Sequence, residues 1–243
     1  MSYDVARSAL SRQMLVSSQK STKRNRASLE NLSRKPDLAY LAELSQSQRA
    51  IPAGAALLPE STPLIVRVER GIAMRYTLLE DGRRQVEALV YPGDLCGLTS
   101  VLYGPGASYY EALTPMMLSS FDPADLHQPL PDGPDRTTTL VWLMTRELTR
   151  LSGWLASVGQ RNANEGIAWF VMHAWERAEA VGLIEKDSAP FPFAQQVVAD
   201  SLGLSLVHTN KTIRRLRDQG LFRIAGGRVR ISSLPALRRA AAL

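Results

Sequence analysis

QQVVADSLGLSLVHTNKTIRRL, residues 195–216, reads as two short helices joined by a turn. Val197, Val198, Ala199 and Leu202 give the first helix an apolar face, Gly203 breaks it, and Ser205 is a good N-cap for the second. Ala199 and Gly203 are small and stand four apart, a spacing that lets a second helix cross close against the first. That is the geometry of a helix-turn-helix, whose second helix enters the major groove of DNA. At about 100° per residue, Leu206, Thr209, Ile213 and Leu216 share one side of the second helix, and Val207, His208, Lys211 and Arg214 share the other. One side packs, and the other is free to meet a partner.

Working outward, the charge is segregated. The 243 residues carry a net charge of +6, yet residues 211–243 hold nine Lys/Arg against Asp218 alone. Residues 1–35 hold eight against Asp4 and Glu30, which leaves twelve basic and twenty acidic residues between 36 and 210. A strongly basic segment that begins inside the second helix is what attraction to phosphates requires. No apolar run approaches the roughly 20 residues that span a bilayer, and the first residues lack the long apolar core of a secretory signal. The single Cys96 excludes an internal disulfide, so a cytoplasmic setting is expected.

Residues 1–35, rich in Ser, Gln, Arg and Lys, read as a flexible basic tail, and Pro36 to Gln48 as a short helix on Leu38, Leu41 and Leu44. From Ala50 to about Asp125, short apolar stretches alternate with turn residues, the texture of an antiparallel sandwich or barrel. Leu64 to Val68 and Gly71 to Leu78 are candidate strands. Glu80 to Arg83 is a hairpin turn, Gln85 to Val90 the returning strand, and Leu98 to Tyr103 a short helix. Glu111 to Ser120 reads as a strand pair interrupted at Pro115. A metal enzyme built on this barrel would need imidazoles, but the histidines are His127, His173 and His208, none between residues 45 and 125. Cys96 reads as a small buried hydrophobe, and His173 as a partly buried, hydrogen-bonded side chain.

From Arg136 to Val158 the period is helical, with Leu140, Leu143, Met144, Glu147, Leu148, Leu151, Trp154, Leu155 and Val158 recurring at three and four. A stripe of this length between a barrel and a DNA-binding unit is well placed to be a dimer seam, to which Leu140, Leu143, Met144, Glu147, Leu148, Leu151 and Leu155 are assigned. Asn162 to Ala180 is a second amphipathic helix that ends at Gly182. Pro190 and Pro192 hold the next residues extended, and Gly220 to Ser232 supplies two strands around Gly226-Gly227, a wing.

This order of parts resembles the Crp/Fnr family of bacterial transcription regulators over about residues 36–240. The resemblance rests on Asp81-Gly-Arg-Arg-Gln85, Tyr91-Pro-Gly-Asp-Leu95, Glu165 to Leu183 and above all Phe191 to Phe222. It implies an α+β architecture: a basic tail (1–35), an N-terminal jelly-roll-like β-roll sensor (36–130), a dimerisation helix (131–160) and a C-terminal winged helix-turn-helix domain (161–243). The family's phosphate-binding cassette falls on Gly97-Leu98-Thr99 and Gly106-Ala-Ser108, with Leu98 in place of its glutamate and no arginine. No Lys or Arg occurs from Gln85 to Asp135, so a buried cyclic phosphate would lack a cation. Cyclic AMP is therefore disfavoured. One cysteine is too few for an iron–sulfur cluster, and the roll lacks a histidine suited to haem.

The family's base-reading glutamate and arginine fall on Val207 and Lys211, with Ser205, Leu206, His208 and Asn210 in neighbouring exposed slots. Periodicity turns Leu206 inward and the resemblance places it near DNA; the resemblance is preferred, because a helix's first turn often projects past its packing face. Lys211 and His208 are expected at base edges, and Gln195, Gln196, Arg214 and the wing's Arg228 at phosphates. The implied partners are double-stranded DNA and a second copy of the chain, with RNA polymerase as a further candidate and no membrane or known effector. The main rival is a ligand-binding or protein-interaction module whose winged helix docks a protein.

Overall fold

The computed structural model describes residues 47–58, 64–104, 108–122 and 136–242. The basic tail, His127 and all but the last two residues of the expected helix at Pro36 to Gln48 lie outside them. Ser47 and Gln48 open strand β1 (Ser47–Ile51) instead of closing a helix. The chain divides into two compact units, the first including Pro129–Arg146 and the second Leu41–Gln128 with Glu147–Leu243. In the first, the described residues are the opening turns of a helix, where Thr145 Oγ1 donates to Val141 O at 2.8 Å and the Arg146 guanidinium lies 5.0 Å from the centre of the Trp142 ring.

In the second unit, strands β2 (Ile65–Arg70), β5 (Leu95–Cys96) and β7 (Met116–Phe121) join β1 in a sheet of order β1-β7-β2-β5. A second sheet, β4-β3-β6, uses β3 (Ala73–Leu78), β4 (Arg84–Val90) and β6 (Tyr109–Ala112). The hairpin expected at Glu80 to Arg83 joins β3 to β4, closed by Leu79 N–H donating to Arg83 O at 2.8 Å. Pro115 separates β6 from β7 as expected, and α1 (Leu98–Tyr103) follows β5.

Residues from both sheets fill one core: Val66, Val68 and Leu118 from the first, Ala73, Val90 and Tyr110 from the second. The other face of β4-β3-β6 is not left to solvent. Met74, Val86 and Leu89 join a core containing Trp154, Phe170, Val198, Leu216 and Phe222. Strand alternation divides the sheet cleanly, Ala73 and Val90 facing one core, Met74 and Leu89 the other. An antiparallel sheet commonly shows one face to water; this one is covered on both, which explains the nearly unbroken apolar run from Ala88 to Tyr91.

The helical part begins with α2 (Arg136–Gly159), the helix expected from Arg136 to Val158. Next comes α3 (Ala163–Ala180), where the Asn162 side chain accepts from the Glu165 N–H and the Glu165 carboxylate accepts from the Asn162 N–H. Trp154 of α2 meets Trp169 of α3 edge-on, and His173 stacks on Trp169 at 5.0 Å. After β8 (Ala189–Pro190) come α4 (Gln195–Leu202), α5 (Leu206–Asp218), β9 (Phe222–Ala225) and β10 (Arg228–Ile231), then a helix α6 (Leu234–Ala240) that sequence reading missed. Ser233 caps α6 through the Ala236 N–H, and Leu237 is fully buried. No described helix is long and apolar enough to cross a membrane.

Asp94, in the Tyr91-Pro-Gly-Asp turn, ties the helices to the roll. Its carboxylate accepts from the Tyr91 N–H at 3.0 Å, from Arg150 Nη1 of α2 at 3.1 Å and from Arg177 of α3. The Arg177 guanidinium also lies over the Tyr91 ring, whose hydroxyl donates to Ala174 O at 3.1 Å. Removing one partner of a nearly buried ion pair leaves the others uncompensated. Asp94→Ala is therefore expected to lower unfolding free energy by about 3 kcal/mol, read by urea denaturation; a loss within experimental error would count against this role.

Burial, with Arg177 and Arg150 nearby, pushes the His173 imidazole from 6.5 down to about 3. The unfolded chain therefore binds a proton below about pH 6.5 that the folded chain refuses, and stability should fall as pH drops from there towards 3. His173→Phe, which keeps the ring stacking, is expected to flatten that fall by up to about 1.4 kcal/mol per pH unit. Denaturation midpoints of both proteins between pH 7 and pH 5 supply the check.

Candidate nucleic-acid interface

Gly203 ends α4 in the left-handed conformation, with φ of 65° and its N–H donating to Ala199 O. A Cβ there would meet nothing within 4 Å. The expectation that Gly203 lets the helices approach is thus corrected: the turn needs its backbone conformation, which side chains disfavour. Ser205 caps α5 as expected, its side chain accepting from the His208 N–H at 3.3 Å.

Thr209, Thr212, Ile213 and Leu216 are the buried side of α5, and His208, Lys211 and Arg214 are exposed. Val207 is 79% exposed and Leu206 41%. Leu206 thus projects past the packing face. Asn210 is half-buried, with Oδ1 buried and unpaired among the described residues, so its expected free slot is only partial. Thr209 is wholly buried, its hydroxyl likewise without a partner among those residues. No acid lies in the first turn of α5, while Arg215 and Arg217 lie in the last. Its exposed N-terminus therefore keeps the positive end of the helix dipole unopposed.

Around this helix the expected phosphate contacts divide. Gln195 is exposed, whereas Gln196, also exposed, donates to Asp200 Oδ1 at 2.6 Å. Arg228 is half-buried and directs its donors inward, Nε to Ser188 Oγ at 2.8 Å and Nη2 to Ser188 O at 2.7 Å, with Glu185 3.6 Å away. Its expected place at a phosphate is thereby weakened, because it ties β10 to the preceding loop. The wing's exposed cations are Arg223 and Arg230, directly opposite each other in the β9–β10 register. Sequence reading missed them. Strand alternation was the available signal, since Phe222 and Val229 must face the core and their neighbours must face out.

In the roll, the expected phosphate cassette is only partly described, Gly106 and Ala107 lying outside. A Cβ at Gly97 would meet Leu64 O at 2.0 Å, so close backbone approach accounts for this glycine. Burial pushes the Tyr110 hydroxyl up to about 12, against the opposing pull of Arg75 and the Gly97 amide. Arg75 in turn faces Glu87 and Glu147, each at 3.4 Å. Cys96 is buried, and burial pushes its thiol well above the usual range, which suppresses the reactive thiolate.

On α2, the second unit exposes Leu148, Leu151, Leu155 and Val158, spaced three, four and three. This is the interval of a coiled-coil seam. In the first unit Val141 and Met144 are exposed and Leu143 is buried; nothing is described of the Leu140 side chain. Glu147 is turned to Arg75 and Arg150. Of the residues expected at the seam, Leu143 is thus buried in the first unit and Glu147 is paired within the second.

Residues 149–240 match the family of Crp-like helix-turn-helix domains. The nitrogen fixation regulation protein FixK of Bradyrhizobium diazoefficiens is 28% identical over 195 residues, 79% of this chain and 81% of its own. The transcriptional activator FnrL of Cereibacter sphaeroides is 26% identical over 201 residues, 79% of each. Among solved structures, FixK2 of Bradyrhizobium japonicum superposes with a TM-score of 0.69 at 23% identity, over 81% of this chain and 98% of that one. A CRP-family regulator of Thermus thermophilus gives 0.65 at 20%, over 80% and 97%. These relatives are regulators, not enzymes, and they do not favour the rival protein-docking reading. With its β-rich domain, helices and C-terminal Crp-like helix-turn-helix domain in this order, the chain is similar along most of its length to transcription regulators of the Crp/Fnr type.

Proposed function

We propose that this chain acts as a cytoplasmic homodimer on a near-palindromic operator, each protomer laying α5 into one of two successive major grooves about 34 Å apart. The observation that carries this reading is the division of α5, apolar and Thr side chains buried, Val207, His208, Lys211 and Arg214 exposed beside a capped, acid-free N-terminus. Lys211 and His208 read base edges, and Val207 meets a thymine methyl, having no acceptor for cytosine. Gln195 and Arg214 hold phosphates, joined by Arg223 and Arg230 of the wing. Lys211→Ala is expected to weaken binding to the preferred duplex by roughly 1–3 kcal/mol and to relax preference at one base position per half-site. Equal weakening on every sequence would make Lys211 a phosphate contact, and no binding of duplex DNA by the native protein would end the reading.

Dimerisation is assigned to the exposed α2 row. Leu148→Glu with Leu155→Glu should convert the dimer to a monomer in sedimentation analysis without unfolding it, since both side chains are exposed in the protomer. A dimer that survives the pair of substitutions would place the interface elsewhere.

No cyclic nucleotide, haem or iron–sulfur cluster is assigned to the roll. Buried Tyr110, and Arg75 between two carboxylates, support a site closed by its own side chains. RNA polymerase remains a proposed partner on the family reading alone.

A further inference from the structure

Asp200 lies on α4, and it is the one carboxylate between Asp187 and Asp218, a stretch that contains the whole helix-turn-helix. A negative charge on a helix that approaches phosphates opposes binding unless it is neutralised. It is neutralised from the roll. Arg84, at the start of β4, donates through Nε and Nη2 to Asp200 Oδ2 at 3.3 and 3.1 Å, and through Nη1 to Glu111 Oε2 at 3.0 Å. Its guanidinium also lies over the Tyr76 ring, 5.3 Å from the centre, and Tyr76 stacks on Tyr109. The other oxygen of Asp200 accepts from Gln196 at 2.6 Å. Beside this, Gln85 Nε2 reaches back to Ser201 O at 3.2 Å.

We propose that Arg84 is a positioning residue for DNA recognition: its ion pair with Asp200, aided by Gln85 on Ser201 O, fixes the helix-turn-helix against the roll in the orientation that presents α5. Two guanidinium donors converging on one oxygen of a carboxylate only 14% exposed, whose other oxygen is held by Gln196, define direction as well as distance. The grip is engaged while the reading face of α5 is open, so it holds the arrangement that binds DNA, not one that hides it. In a dimer, two such grips set the separation of the two recognition helices. This rests on the proposed DNA-binding reading.

The test compares the native protein with Arg84→Gln, Asp200→Asn and the double variant on two duplexes: the palindrome selected from a randomised pool, and the same duplex with one half-site scrambled. Each single variant should lose roughly tenfold on the palindrome, where both helices must be in register, and less than about twofold on the half-site. The double variant should lose no more than the worse single variant. Equal losses on both duplexes would mean a local defect in α4, and unchanged or tighter palindrome binding would mean that the pair does not hold the binding arrangement. Each of these outcomes overturns the proposal. In the free variants, the amides of residues 195–202 should exchange hydrogen faster than in the native protein, at a similar melting temperature; unchanged protection also overturns it. Should the native protein select no duplex, the DNA-binding reading fails, and hydrogen exchange alone decides whether the grip exists.

Discussion

The carboxylate of Asp94 meets three segments that are far apart in the chain: its own turn through the Tyr91 N–H, α2 through Arg150, and α3 through Arg177. A carboxylate this deeply buried is costly unless every charge near it is matched. The matching extends outward, Arg150 reaching Glu147, which faces Arg75, which faces Glu87. Roll, long helix and winged helix in the second unit are thus joined by directional contacts as well as by apolar burial. Charge pairing fixes orientation in a way that an apolar surface, tolerant of sliding, does not.

That orientation matters because the reading surface proposed for this chain is small. It consists of a few side chains on the first two turns of α5, carried by a helix pair whose own core includes buried Thr209 and Thr212. Sheet β4-β3-β6 is the rigid layer behind it, one face closing the roll interior and the other closing the winged-helix core. A displacement of this sheet would move the helix-turn-helix with it. The roll and the helix-turn-helix are therefore mechanically continuous within this unit.

Elements with strong periodicity and clear end signals were legible in advance. The α2 period, the Ser205 cap, the hairpin turn before Arg84 and the Gly226-Gly227 wing all follow from local chemistry. What escaped depends on the third dimension. Gly203 looked like a packing residue because spacing cannot separate close approach from a left-handed φ. Glu147 and Leu143 share the long stripe of α2, and a stripe wider than a two-helix seam does not say which edge faces inward. Arg228 is one of three wing arginines, and only the neighbouring loop that brings Ser188 to it distinguishes it from Arg223 and Arg230. Nothing local pairs Arg84 with Asp200, 116 positions away. Helix α6 was obscured by the Arg-Arg pair and the alanines after it, although Ser233 and Pro235 are proper start signals.

The central claim is that the exposed face of α5 reads a two-fold site whose sequence differs from those read through glutamate and arginine. Selection of bound duplexes from a randomised pool, with the native protein at fixed salt, measures this most directly. The account predicts enrichment of a near-palindrome whose half-sites are centred about one helical turn apart, with a thymine at the position met by Val207. Enrichment of no motif, or of a single unrepeated half-site, would contradict it.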